Sequence, residues 1–107
     1  MKARSSKRAK ALAIGKAVKQ AVYDRDGGVC IWCGRRGFPE AHFIPRSKGG
    51  LGIEENILTL CRGCHDHYDH RSRLERECMR EEFEKHLRGH YPEWDEEKLY
   101  YRRDSEC

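Results

Sequence analysis

The 107-residue sequence predicts an α+β domain in which two short strands and a helix are tied together by a metal site and flanked by further helices. Three observations predict this. Two C-x2-C pairs, Cys30/Cys33 and Cys61/Cys64, are separated by 27 residues. Between and after them the pattern reads strand, Gly-rich loop, strand, helix. Apolar material is scarce, with 9% aromatic and 37% charged residues. A small domain of that composition buries too little to be comfortable without a staple.

The elements follow in order. From about Ala9 to Arg25, Ile14, Val18, Ala21 and Val22 recur at helical spacing, predicting one helix that stops at the turn signal Asp26-Gly27-Gly28. The first cysteine pair suits a knuckle with Gly34 just after it. Phe38 to Ile44 reads as a strand, bounded by Pro39 and Pro45. Alternation sets Glu40, His42 and Ile44 on one face and Ala41 and Phe43 on the other. Arg46 to Glu55 is Gly-rich and reads as a loop, and Ile57 to Leu60 reads as the second strand. One long helix is expected from about Arg62 or Cys64 to near Leu87, with Leu74, Cys78, Met79, Phe83 and Leu87 as its apolar face and Gly89 and Pro92 ending it. Asp95 to Arg103 reads as a last short helix.

Charge is distributed unevenly. Residues 1–50 carry a net +9 and residues 51–107 a net −5. A basic half on a small domain points to a polyanion, nucleic acid first. A merely solvated basic tail is the plainer alternative. No run of 18 apolar residues occurs, and the N-terminus lacks an apolar stretch of signal-peptide length. The expectation is a cytoplasmic protein, where cysteines more often bind metal than form disulfides.

The stretch CRGCH, Cys61 to His65, admits three chemistries: haem attachment, a thiol-redox pair, or half of a zinc site. Haem needs an apolar pocket and an oxidising compartment, and the composition speaks against both. Two pairs supply four thiolates, enough to close a tetrahedral zinc site. Cys78 and Cys107 fall outside that set and read as a helix-face residue and a free tail thiol. His67, His70, His86 and His90 read as surface residues, with Gly89 breaking the helix between the last two.

The run EAHFIPRSKGGLGIEENILTLCRGCHDHYD, Glu40 to Asp69, with the lead-in RDGGVCIWCG, Arg25 to Gly34, resembles the HNH endonuclease family in its zinc-stapled, phage-type branch. The resemblance implies a ββα-metal, treble-clef-like fold. It places a nuclease domain at 9–88 with its core motif at 25–70, while the polar, basic composition of residues 1–8 reads as a basic arm and residues 89–107 as a C-terminal extension. It also implies metal-dependent hydrolysis of DNA phosphodiester bonds, most simply as nicking of one strand. His42 takes the place of the general base that draws a proton from water. Asn56 takes the place of the asparagine that braces the loop and orients His42. His65 takes the place of the ligand of a catalytic divalent cation (magnesium, manganese, nickel or zinc), with Asp69 at i+4 as a further ligand. Cys30, Cys33, Cys61 and Cys64 would hold structural zinc. Arg46, Lys48, Lys16 and Lys19 would meet DNA phosphates. Small phage members assist the terminase in genome packaging, so terminase is an implied partner beside double-stranded DNA. A monomer or weak dimer is expected, and no membrane.

One position departs from the family. Most members carry Asp or His immediately before the first histidine, and here it is Ala41, which cannot ligate. His65 and Asp69 then hold the cation with water and phosphate, or Glu40 reaches in, or His42 itself ligates. Two rival readings stay open: a non-catalytic zinc-stapled DNA-binding module, which Ala41 favours, and a thiol-redox protein using one C-x2-C pair.

Overall fold

In the computed structural model of the protein, residues 7–70 and 73–102 are described. Most of the basic arm expected at residues 1–8, and Cys107, lie outside them. Four helices, Lys7–Leu12 (α1), Lys16–Asp26 (α2), Arg62–His70 (α3) and Arg73–His90 (α4), surround two strands, Phe38–His42 (β1) and Ile57–Leu60 (β2). The strands pair antiparallel, with His42 opposite Ile57, Ala41 opposite Leu58, and an irregularity between Phe38 and Ala41. Single 3-10 turns sit at Arg46–Lys48, Glu54–Asn56 and Glu96–Leu99. No described helix is long and apolar enough to cross a membrane.

Two expectations about helix length are corrected. The single helix expected from Ala9 to Arg25 is broken after Leu12 and restarts at Lys16, with Gly15 extended at its N-cap. The carbonyls that would continue it are spent elsewhere. Ala11 O accepts from the Gly52 N–H at 3.0 Å, and Leu12 O lies 2.8 Å from His42 Nε2. Asp26-Gly27 ends α2 as expected, Gly27 taking the left-handed conformation at φ 70°.

The long helix expected after the second knuckle is α3 and α4 folded against each other. The Tyr68 and Phe83 ring centroids are 5.0 Å apart. Fifteen residues of unbroken helix would separate them by about 22 Å. Helix α4 runs through Gly89 to His90, so Gly89 does not end it. Its buried stripe is Met79, Phe83 and Leu87, whereas Leu74 is 73% exposed.

The core lies between the sheet and α4. Phe43, Leu58, Leu60, Tyr68, Phe83 and Leu87 meet there with Trp94 and Leu99 from beyond α4. Each large side chain removed from water contributes about 1.5–3 kcal/mol. The C-terminal segment also ties down the Gly-rich loop: Leu51 N–H donates to Leu99 O at 2.8 Å, and Tyr101 N–H to Gly49 O at 2.7 Å.

Strand β2 is buried along its whole length, yet it has a second partner only on the β1 side. Its outward polar groups are met by other means. Arg25 Nη2 donates to Ile57 O at 2.8 Å, Asp26 Oδ2 accepts from Thr59 N–H at 3.1 Å, and Ile31 N–H donates to Thr59 O at 3.0 Å. Two side chains and the knuckle backbone stand in for a third strand. Asp26 Oδ1 also faces His86 Nε2 at 2.8 Å. His86 is therefore a bridge from α4 to α2, correcting its assignment to the surface. Burial would raise the Asp26 carboxyl, but hydrogen bonds from His86 and Arg25 outweigh it and hold that group well below the usual carboxylate range.

Candidate active site and metal centre

The sulfurs come first, because they fix where everything else stands. Sγ atoms of Cys30, Cys33, Cys61 and Cys64 all lie within 4.8 Å of one another, and Cys33 and Cys61 are 3.7 Å apart. Zinc–sulfur bonds of about 2.3 Å in a tetrahedron set sulfurs about 3.8 Å apart. Each knuckle donates a backbone N–H to its own first sulfur: Cys33 N to Cys30 Sγ and Cys64 N to Cys61 Sγ, both at 3.4 Å. Donation from Cys64 N–H lowers the Cys61 thiol to about 7, which favours the thiolate that a metal requires. The four residues fit structural zinc, and Cys78, exposed on α4, is not part of the group.

His65 follows Cys64 directly in the first turn of α3, so the knuckle that positions the sulfur also positions the imidazole. Its Nε2 lies 3.4 Å from Asp69 Oδ2, one turn on, and both side chains are partly exposed. Two donors bound to one ion at about 2.1 Å and roughly a right angle sit about 3 Å apart, so this pair fits a divalent cation.

His42 closes β1 and is half-buried. Its Nε2 faces the Leu12 carbonyl at 2.8 Å. A carbonyl only accepts, so Nε2 carries the hydrogen and Nδ1 keeps the lone pair. Burial lowers the pKa of His42, the Leu12 carbonyl opposes this, Arg46 and His65 lower it further, and Asp69 opposes. The net lowering favours the neutral ring, the form whose lone pair can accept a proton.

His42, His65 and Asp69 all line one open cleft of about 990 Å³, together with Glu40, Lys19, Arg46 and Lys48. Glu40 thus shares the cleft with His42, while Ala41 is buried in the core. Lys16, exposed in the first turn of α2, is not among the lining residues.

Asn56 is fully buried, and its side chain bonds Ile44 and Leu51 rather than His42. Its Oδ1 accepts from Ile44 N–H at 2.8 Å, and its Nδ2 donates to Leu51 O at 2.8 Å and to Ile44 O at 3.3 Å. It braces the loop, and the expectation that it hydrogen-bonds His42 gives way to the Leu12 carbonyl. Sequence reasoning missed that carbonyl because a backbone atom leaves no signature. It also passed over Arg76, which lines the cleft from α4 and is one charge in a highly charged helix.

The sequence model of the family described as HNH endonuclease matches residues 30–87, more than half of the chain. No curated protein and no solved structure matches it significantly.

Proposed function

The chain belongs to the HNH endonuclease family, and from that premise we propose that it is a metal-dependent endonuclease that nicks double-stranded DNA, with His42 as its general base. One observation carries the reading. An imidazole with a free Nδ1 and a His–Asp pair suited to a cation open onto the same cleft, lined by Lys19, Arg46 and Lys48. Nucleic-acid phosphates would be drawn there by the lysines and arginine.

In this reading His42 Nδ1 accepts a proton from a water as that water attacks the scissile phosphorus. Leu12 O holds the ring in the competent tautomer. His65 and Asp69 would hold a divalent cation, which when bound would supply Lewis-acid stabilisation of the phosphate oxygens. Ala41 has no ligating atom and is buried in the core, so His65 and Asp69 are the donors this chain would bring to the cation. Asn56 acts at a distance by fixing the loop that carries Arg46 and Lys48. The four cysteines hold zinc whose role is to fold the unit. One such site cuts one strand, which is why nicking is expected.

Ala41 also supports a second reading, a zinc-stapled module that binds DNA without cutting it. Supercoiled plasmid, incubated with protein and magnesium, manganese or nickel, separates the two. Wild type should convert it to the open circle and His42→Ala should be slower by about 10²–10⁴-fold. Equal rates for the two proteins remove His42 as the base, and binding without conversion under all three ions favours the module.

A further inference from the structure

A second groove of about 460 Å³ adjoins the cleft, and Pro45, Lys48, Tyr68 and Arg76 line both. Phe43, Glu77, Arg80 and Tyr100 also line it. The charges there are differently committed. Arg80 Nη2 is bonded to Glu96 Oε2 at 2.7 Å and its guanidinium lies over the Phe43 ring. Glu77 is also engaged. Arg76 is different: its Nε is buried without a hydrogen-bond partner, and among the described residues only Thr59 Oγ1 shares that condition. A buried donor left unpaired costs about 1–3 kcal/mol. Nε itself is closed to an acceptor from outside; the terminal nitrogens of the same guanidinium, at the junction of the two grooves that Arg76 lines, are what an incoming phosphate would meet.

We propose that Arg76, with Lys48 beside it, forms a second phosphate subsite that leads the cleaved strand out of the cleft into the adjoining groove. The proposal rests on the endonuclease reading and adds a residue of α4 to its substrate contacts. The geometry suits a continuous strand. Successive phosphates of one strand follow each other along the helix, and the two grooves are adjacent, with Pro45, Lys48, Tyr68 and Arg76 lining both. Guanidinium is also the group best shaped to meet two phosphate oxygens at once. Tyr68 lines both grooves with its hydroxyl already given to Phe43 O at 3.0 Å, so it brings no competing donor.

The test measures binding without cleavage. His42→Ala is used as the parent, with no added divalent ion, and its affinity for a fluorescent DNA duplex is titrated between 50 and 200 mM salt. Each phosphate contact contributes about 0.9 to the salt slope, or about a 3.5-fold loss of affinity over that range. Adding Arg76→Gln, or Arg76→Met to preserve the buried stem, should weaken binding at 50 mM and reduce the loss on adding salt by about that factor. Lys85→Gln, at an exposed residue of the same helix bonded to Glu82, removes the same charge and should leave the slope unchanged. An unchanged slope in both Arg76 variants, or an equal change in Lys85→Gln, overturns the subsite while leaving the nuclease reading in place. Failure of the parent to bind duplex at all overturns both.

Discussion

Gly52→Ala tests the brace on His42 without touching any reacting group. A Cβ at this position would lie 2.0 Å from Ala13 O and 3.0 Å from Leu12 O. Carbon and carbonyl oxygen settle at about 3.3 Å, so the end of α1 or the loop must give way by more than 1 Å. The Leu12–His42 bond, now 2.8 Å, has little room to stretch before it is lost. A shift of about 1 Å in a catalytic group costs on the order of 10²-fold in rate. We therefore expect Gly52→Ala to nick plasmid 10- to 100-fold more slowly, by the order of magnitude set for such misplacement. Duplex affinity and zinc content should stay at wild-type values. The lost Gly52–Ala11 backbone bond should cost about 1–3 kcal/mol in urea unfolding. Gly89→Ala is the control: nothing lies within 4 Å of its added carbon, and α4 should gain about 1 kcal/mol. Wild-type nicking by folded, zinc-loaded Gly52→Ala would refute the brace.

Three further predictions concern the metal, the base and the buried ion network. Cys61→Ser should lose zinc and fold poorly, because structural zinc supplies about 10–16 kcal/mol, as much as a typical domain's whole stability. Cys78→Ser should match wild type in metal content and circular dichroism, and similar behaviour of the two variants contradicts the four-sulfur site. The acid limb of the pH–rate profile should fall below the 6.5 of an ordinary histidine, because His42 must be neutral to act and its pKa is lowered. Its disappearance in His42→Ala, measured on residual nicking, is the check. Asp26→Asn should cost about 3–5 kcal/mol by stranding Arg25 without its counter-charge. The wild-type contribution is full above the unfolded carboxylate value near 4 and fades as pH falls toward the lower folded one. Urea titrations at pH 7 and pH 3 should show the gap between the two proteins narrowing in acid.

What was legible in the sequence was what repeats or pairs locally. The two C-x2-C pairs located the sulfur cluster because four thiolates at knuckle spacing have few other uses. Both strands were legible from composition, and β2 came out at its expected bounds. The helix breaks were not, since they are decided by distant partners: Gly52 and His42 claim the last carbonyls of α1, and Tyr68 meets Phe83 only because the chain turns back. His86 looked like a surface residue because its partner, Asp26, is 60 positions away. Trp94 and Leu99 carry no periodic pattern, so their place in the core could not be read from spacing. The site was legible as a set of residue types. The bond that sets the tautomer of His42 was invisible because its other half is a peptide oxygen.

The Arg25–Asp26 pair has a consequence for how this protein behaves in a crowd. A sheet of only two strands offers its flank as a template to any extended peptide that passes, and here one flank is already answered by a guanidinium, a carboxylate and a knuckle amide. A chain that lost the carboxylate would thus do more than unfold sooner. It would leave the Thr59 N–H unanswered on the flank of a strand whose side chains are all apolar or buried, and clumping would begin on that side of β2.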